Sequence, residues 1–443
     1  MSTPEAAPAL KRTLGPVMLW SLGVGYVISG EYFGWNLGLP AAGTWGMLIA
    51  TLVVTVMYVA FVLSYAELAC AIPRADGAFA YARRALGPTA GFLAGAFQLV
   101  EFVFAPPAIA LAIGAYLNIY LSSVSPIALA TIAYLGLTAL NIWGVRQAAT
   151  FELFVTVIAV AELVVFCAVT APAFRWQNFA AEGLPHGFGG VLAALPFAIW
   201  FYLAIEGVAN AAEEARNPQR DIAIGFTSAM ATLVVLALGV FFCATGVAGW
   251  RAIVYPDPTS SATSDSPLPL AMAHAVSESS ILYTMLVGIG LFGLVASFHG
   301  ILLAAGRATM ALGRAEYAPR FLGRIDPRTG TPALALAANF CFGVAAIFTG
   351  RTAQLITLSV FGALGLYVIS MVSLFALRAR EPELARPFRA VGYPVVPAVA
   401  LSLAVVCLGA MIVYNPELAL VFGGLVLAGL LYFVLLVRPR VRA

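Results

Sequence analysis

Glu31, Glu101, Glu162, Glu206 and His299 stand in stretches that are otherwise almost wholly apolar, and they are the ionisable side chains expected to lie deep in the fold. A carboxylate at the centre of a bilayer costs roughly 2.5–3.5 kcal/mol on insertion scales, so each needs a partner or a purpose. No lysine or arginine is expected at the same depth. The acids must then be met by protons, metal ions or a cationic ligand. Aromatic residues accompany them: Tyr32, Phe33 and Trp35 near the first acid, Phe102 and Phe104 near the second, Trp200, Phe201 and Tyr202 before the fourth. Such rings hold an ammonium group by cation–π contact, worth about 0.5–2 kcal/mol. Any one ring alone reads as packing, and only the clustering around acids points to a ligand.

Two of the acids lie beside helix breakers. Ser29-Gly30-Glu31-Tyr32-Phe33-Gly34 and Glu206-Gly207 each set a glutamate against glycine, which weakens a helix and frees backbone groups for a ligand. Glu101 has no such neighbour, although Pro106-Pro107 follows within two turns. Glu162 and His299 suit either a proton relay or a buried hydrogen-bond partner. Glu67, Glu213 and Glu214 fall among arginines near a membrane surface, where solvated charges are the expectation and gate-forming ion pairs the alternative.

The elements that position these groups follow from composition. The 443-residue chain is 62% hydrophobic and 10% charged, with mean hydropathy +0.96, which describes a polytopic membrane protein and no soluble domain. Hydropathy places twelve spans near 15–39, 45–72, 89–121, 126–143, 149–171, 189–212, 222–249, 281–313, 332–349, 353–378, 394–414 and 417–437. With the N-terminus inside, Arg175, Arg251 and Arg351 fall outside, which leaves 20 of the 23 lysines and arginines within. That bias is the positive-inside rule, and it puts both termini in the cytoplasm. No removable signal peptide is expected, because another span follows the first.

The first and sixth spans are five apart and so opposite in direction, and each carries a mid-span glutamate beside a glycine. Corresponding broken helices in two inverted halves mark a transport site. The expected fold is therefore all-α, a single domain over 15–437 with inverted repeats at about 15–171 and 189–378 and two extra helices over 394–437. Short cytoplasmic tails, 1–14 and 438–443, flank it. The loop from Arg251 to Ser280, rich in Ser, Thr and Pro, reads equally as a surface loop or as short lid helices.

Other classes find little footing. Gly23-Val24-Gly25 and Gly30 have no strand before them and make no dinucleotide loop. No His or Cys spacing fits a metal site, and no cofactor is expected. Cys70, Cys167, Cys243, Cys341 and Cys407 read as small buried hydrophobes without disulfide spacing. The scattered arginines make no nucleic-acid patch.

The residues resemble the amino acid–polyamine–organocation transporter superfamily over nearly the whole chain. The likeness is carried by Leu14-Gly15 through Gly23-Val24-Gly25, by Ser64-Tyr65-Ala66-Glu67-Leu68, by Ile72-Pro73-Arg74-Ala75-Asp76-Gly77-Ala78, by Glu213-Glu214-Ala215-Arg216-Asn217-Pro218-Gln219-Arg220-Asp221 and by Gly306-Arg307 through Leu312-Gly313-Arg314-Ala315. The resemblance implies the leucine-transporter-type inverted repeat. In that family the first-span breaker usually runs Gly-Ser/Thr-Gly and binds a substrate carboxylate through free amides. Here it runs Ser29-Gly30-Glu31, and a glutamate repels a carboxylate but attracts an amine or accepts from a hydroxyl. Ile28-Ser29-Gly30-Glu31-Tyr32-Phe33-Gly34-Trp35-Asn36-Leu37-Gly38, Glu101-Phe102-Val103-Phe104 and Phe298-His299-Gly300 are similar to ethanolamine permeases. The resemblance further implies that Glu206 matches a proton-sensing position of arginine–agmatine exchangers and Trp200 their aromatic gate. The fifth-span lysine of several proton-coupled members, counted from Gly144-Val145-Arg146, falls on Ala159, one turn before Glu162.

The expectation is thus a plasma-membrane permease, not an enzyme, importing ethanolamine or a similar small cationic amine by alternating access. Its substrate site would comprise Ser29, Gly30, Glu31, Tyr32, Glu101, Phe102, Trp200, Phe201, Tyr202, Glu206 and His299. Glu206, Glu162 and His299 are the proton-coupling candidates. Beyond the amine, the expected partners are the lipid bilayer and protons, with no nucleic acid. The alternatives are an amino acid or polyamine permease or exchanger of the same fold and, more remotely, a membrane sensor that binds an amine without moving it.

Overall fold

The structure is a computed structural model that describes residues 12–143, 148–257, 259 and 261–441. Lys11, Arg146 and Arg442 of the charge count, the Gly144-Val145-Arg146 register, most of the N-terminal tail and the last two residues lie outside the described residues. Ten helices are long and apolar enough to cross a bilayer, and two shorter apolar ones, Pro16–Val27 and Ala333–Ile347, bring the crossings to the expected twelve. Among the described residues every element is helical, which follows from a medium that leaves no water to satisfy an open backbone.

The first crossing is assembled from pieces: Pro16–Val27, the short helix Ser29–Tyr32 and the tight turn Trp35–Gly38. Gly43, at φ +64, separates it from the second crossing, which ends at Ala71. Pro88–Tyr120, Pro126–Trp143 and Ala148–Thr170 are the third to fifth crossings. The third runs unbroken through Pro106 and Pro107. The sixth comprises Leu195–Trp200 and a 3-10 segment, Ile205–Glu214, and Pro218–Ala248 is the seventh. Ile281–Arg314, Ala333–Ile347 and Thr352–Arg380 complete the second half as the eighth to tenth crossings. The last two, Val395–Tyr414 and Pro416–Val437, stand at the rim. The twelfth buries nothing along Pro416–Tyr432, and Leu420 and Val413 are largely exposed, as lipid-facing side chains should be.

Contacts between loops define two faces. On one, the long loop folds into the helices Trp250–Val254 and Pro267–Ala273, whose apolar residues Ile253, Val254, Leu268, Ala271 and Met272 are buried. Asn36 donates to the Ser264 carbonyl at 2.8 Å and Thr352 donates to the Asp265 carboxylate at 2.7 Å, so this segment is a lid fastened to the first and tenth crossings. On the opposite, arginine-rich face, the Thr13 and Leu14 amides donate to the Glu214 carbonyl at 2.9 and 3.0 Å, and the Arg216 amide donates back to the Leu14 carbonyl at 2.8 Å. The chain before the first crossing is thereby latched to the end of the sixth.

Two expectations are corrected on the way. Glu67 is not a solvated charge: it is 1% exposed, accepts a forked pair of hydrogen bonds from Arg378 at 2.7 and 2.6 Å, meets Arg386 at 3.1 Å and accepts from the Ala390 amide at 2.6 Å. A carboxylate at the end of the second crossing has been buried because the connector after the tenth wraps over it. Cys341 is exposed on the ninth crossing instead of buried, while Cys70 and Cys407 are buried and Cys167 and Cys243 half-buried.

Candidate functional site

The break in the first crossing does not fall on Gly30. Phe33 is extended and Gly34 has φ +90, so the helix stops after Tyr32, one residue past Glu31. A side chain on Gly34 would be strained there and would lie 2.5 Å from the Trp200 ring. Gly30 serves a different end. A Cβ on it would sit 2.3 Å from the Trp200 carbonyl, so glycine lets the first crossing meet the backbone of the sixth. The sixth crossing breaks at 201–204, where Ala204 takes φ +75, a conformation that alanine adopts only under constraint. Gly207 again allows close packing, here against the ring of Tyr26.

The two breaks face each other, and the acids lie at them. Glu31 has no exposure, and among the described residues neither of its carboxyl oxygens meets a donor. The Phe33 ring meets Trp200 edge-on at 5.5 Å, and the Trp200 indole N–H is also without an acceptor among the described residues. Ser29 shares a 2.7 Å hydrogen bond with Ser297, which ties the break to the eighth crossing.

A second acidic centre forms across the sixth break. The Glu101 and Glu206 carboxyls adjoin, both without exposure. Tyr367 donates to Glu206 Oε2 at 3.0 Å and shares a 3.0 Å bond with Tyr58. Tyr58 packs its ring on Tyr202 at 5.3 Å, and the Tyr202 hydroxyl shares a 2.8 Å bond with Thr55. Glu101 Oε1 and Oε2 and Glu206 Oε1 find no aligned donor among the described residues. Phe102 is wholly buried beside Glu101.

The remaining expected residues lie elsewhere. Tyr32 points away from the break and donates to Glu162 at 2.5 Å and to the Ala159 carbonyl at 3.0 Å, beneath the lid residues Leu268, Pro269 and Met272. Phe201 stacks on Trp35 at 5.6 Å. His299 turns its ring to Phe151 at 6.0 Å, with both ring nitrogens unpartnered among the described residues. The geometry therefore gathers Ser29, Gly30, Glu31 and Trp200 at one break and Glu101, Tyr202 and Glu206 at the other.

Sequence reasoning missed Tyr58, Tyr116, Tyr367 and Ser297, because a tyrosine or serine within an apolar run carries no mark of its partner. Tyr116, for instance, donates to the Tyr32 carbonyl at 3.2 Å. It also missed Glu152, which is 2% exposed in the first turns of the fifth crossing. The one signal for it was a second carboxyl in the run Ala148–Thr170, spaced ten residues before Glu162.

Buried acids at paired helix breaks, within twelve crossings, constitute the architecture of a membrane carrier. The amino acid permease family model matches residues 20–437, and the chain belongs to that family; it is a multi-pass membrane transporter. It is 29% identical over 422 residues to an uncharacterised transporter of Rhizobium meliloti, covering 91% of this chain and 88% of that one. A branched-chain amino acid permease of Bacillus subtilis is 25% identical over 420 residues, covering 89% and 86% of the two chains. A methylthioribose transporter of the same organism is 26% identical over 425 residues, covering 91% and 89%.

Proposed function

We propose that the protein is a plasma-membrane permease that imports ethanolamine or a similar small amine by alternating access, with both termini cytoplasmic. The observation that carries this reading is the carboxyl of Glu31, wholly buried and without a donor at the first-span break. A site built for an amino acid needs donors there for a carboxylate; this one offers an acceptor. The ammonium group is assigned to Glu31 with Trp200 and Phe33 as its aromatic wall, and the hydroxyl to Glu101. Trp200 closes the pocket, while Phe201 supports it from behind through Trp35.

Glu206 is the nearest proton carrier to this site, since its carboxyl adjoins Glu101 and is held by Tyr367. Two like charges so close cannot both persist in a dry interior, so the pair holds a proton unless a cation replaces it. The second reading, an amino acid carrier, is favoured by the likeness to the branched-chain amino acid permease. Purified protein in vesicles discriminates between them. Labelled ethanolamine should accumulate under an inward acid gradient and resist equal concentrations of alanine, leucine or putrescine. Displacement by any of these as effective as unlabelled ethanolamine would transfer the assignment to an amino acid or polyamine.

A further inference from the structure

A cavity of about 50 Å³ lies on the arginine-rich side of the first break, lined by Leu14, Leu22, Tyr26, Glu152, Glu214, Gly300, Leu303 and Arg307. That is room for a few waters. Its walls come from the elements that the latch holds together: the strap residue Leu14, the first crossing, the fifth, the end of the sixth and the eighth. Glu152 is 2% exposed and its Oε1 has no donor among the described residues. A Cβ on Gly25 would lie 2.1 Å from that oxygen and one on Gly300 would lie 3.6 Å away, so glycine on two neighbouring crossings makes room for the carboxyl.

The charges around it are unevenly shared. Arg307 is paired with Glu214 at 2.8 Å, yet that oxygen of Glu214 lacks an aligned hydrogen bond. The two side chains are 27% and 20% exposed, so they open the cavity to water. The ionisable groups facing Glu152 are Tyr26 of the first crossing, Glu214 of the sixth and Arg307 of the eighth, and the Tyr26 hydroxyl lies within electrostatic reach of all three charges. Thr156 of its own crossing is turned to the Ser21 carbonyl at 3.2 Å, and His299 faces Phe151. One arginine thus lines a cavity with two acids, and it is paired with Glu214.

We propose that Glu152 is a proton-binding site whose proton keeps the Thr13–Leu14 latch shut. With the proton on Glu152, Arg307 stays with Glu214, whose backbone carbonyl receives the strap. When the O–H bond of Glu152 breaks, the electron pair remains on the carboxylate and the proton leaves to water at the cavity mouth. Arg307 then faces two anions and moves to the buried one, because an unpaired charge costs more there than at the wet edge. Glu214 loses its partner, the strap loosens, and the cavity opens on the arginine-rich side.

The test needs no substrate. A cysteine placed by Leu14→Cys, at a strap residue that is 2% exposed while the latch is shut, reports the latch through its reaction with a membrane-impermeant maleimide on purified protein. Rates are normalised to Ser279→Cys, exposed on the lid face, which removes the pH dependence of the thiol itself. The normalised rate should rise several-fold from acid to alkaline pH. Added Glu152→Gln should hold it slow at every pH, and added Glu214→Gln should make it fast at every pH. A flat profile in Leu14→Cys alone, or Glu152→Gln following its parent's profile, would overturn the proposal. Should Glu152→Gln not fold, a pH-responsive profile in Glu214→Gln overturns it equally.

Discussion

A carboxyl in an apolar span announces itself, and for that reason Glu31 and Glu206 were legible in the sequence while their surroundings were not. Tyr367 and Tyr58 come from the tenth and second crossings, and nothing in a tyrosine's neighbours along the chain says that it will face an acid 161 residues away. Tyr58 shares a hydrogen bond with Tyr367, and Tyr367 supplies one to Glu206. Removing it with Tyr367→Phe leaves a buried acceptor unmet, which costs about 1–3 kcal/mol. The expected outcome is a lower melting temperature in detergent and a changed pH profile of uptake with the maximal rate retained at its new optimum; an unchanged profile would separate Tyr367 from the proton chemistry. Glu152 escaped notice for the opposite reason. It stands only a few residues into its span, beside the register Gly144-Val145-Arg146, where a glutamate reads as an ordinary end charge.

At the scale of elements, the sequence indicated that the first and sixth crossings would break, and it set the first break between Gly30 and Gly34. Of the glycines read as breakers Gly34 takes the positive φ, whereas Gly30 and Gly207 let backbone and ring approach and the sixth break falls on Ala204. The physical reason is that a break is set by which residues another helix must touch, and that is invisible from one strand of sequence. Gly34→Ala combines an unfavourable φ, worth about 1–3 kcal/mol, with a clash against Trp200. It should abolish uptake while the protein still purifies as a monodisperse species, and a variant transporting at the normal rate would show that Trp200 does not close on this turn. The lid was half legible. Its prolines and serines suggested a surface loop, but Leu268 and Met272 made it a cover for Glu162.

For the whole molecule, the number of crossings and their order followed from hydropathy and charge bias, because the bilayer admits few alternatives. Pro16–Val27 and Ala333–Ile347 are too short to be counted by helix length alone; hydropathy placed their spans at 15–39 and 332–349, and the charge bias checked the count. What the sequence could not supply was the state of the carrier. Glu31, Glu101 and Glu206 are sealed, by the lid and Trp200 on one side and on the other by the strap and the Glu67–Arg378–Arg386 cluster. Both routes are shut in this conformation, so transport requires the two sets of contacts to yield in turn. All of it presupposes a positively charged guest for Glu31. Equilibrium binding of labelled ethanolamine to the purified wild type and to Glu31→Gln tests that claim most directly. Loss of one charge-assisted contact, about 1.5–3 kcal/mol, predicts at least a tenfold weaker affinity in the variant. Equal affinities in the two proteins would contradict it.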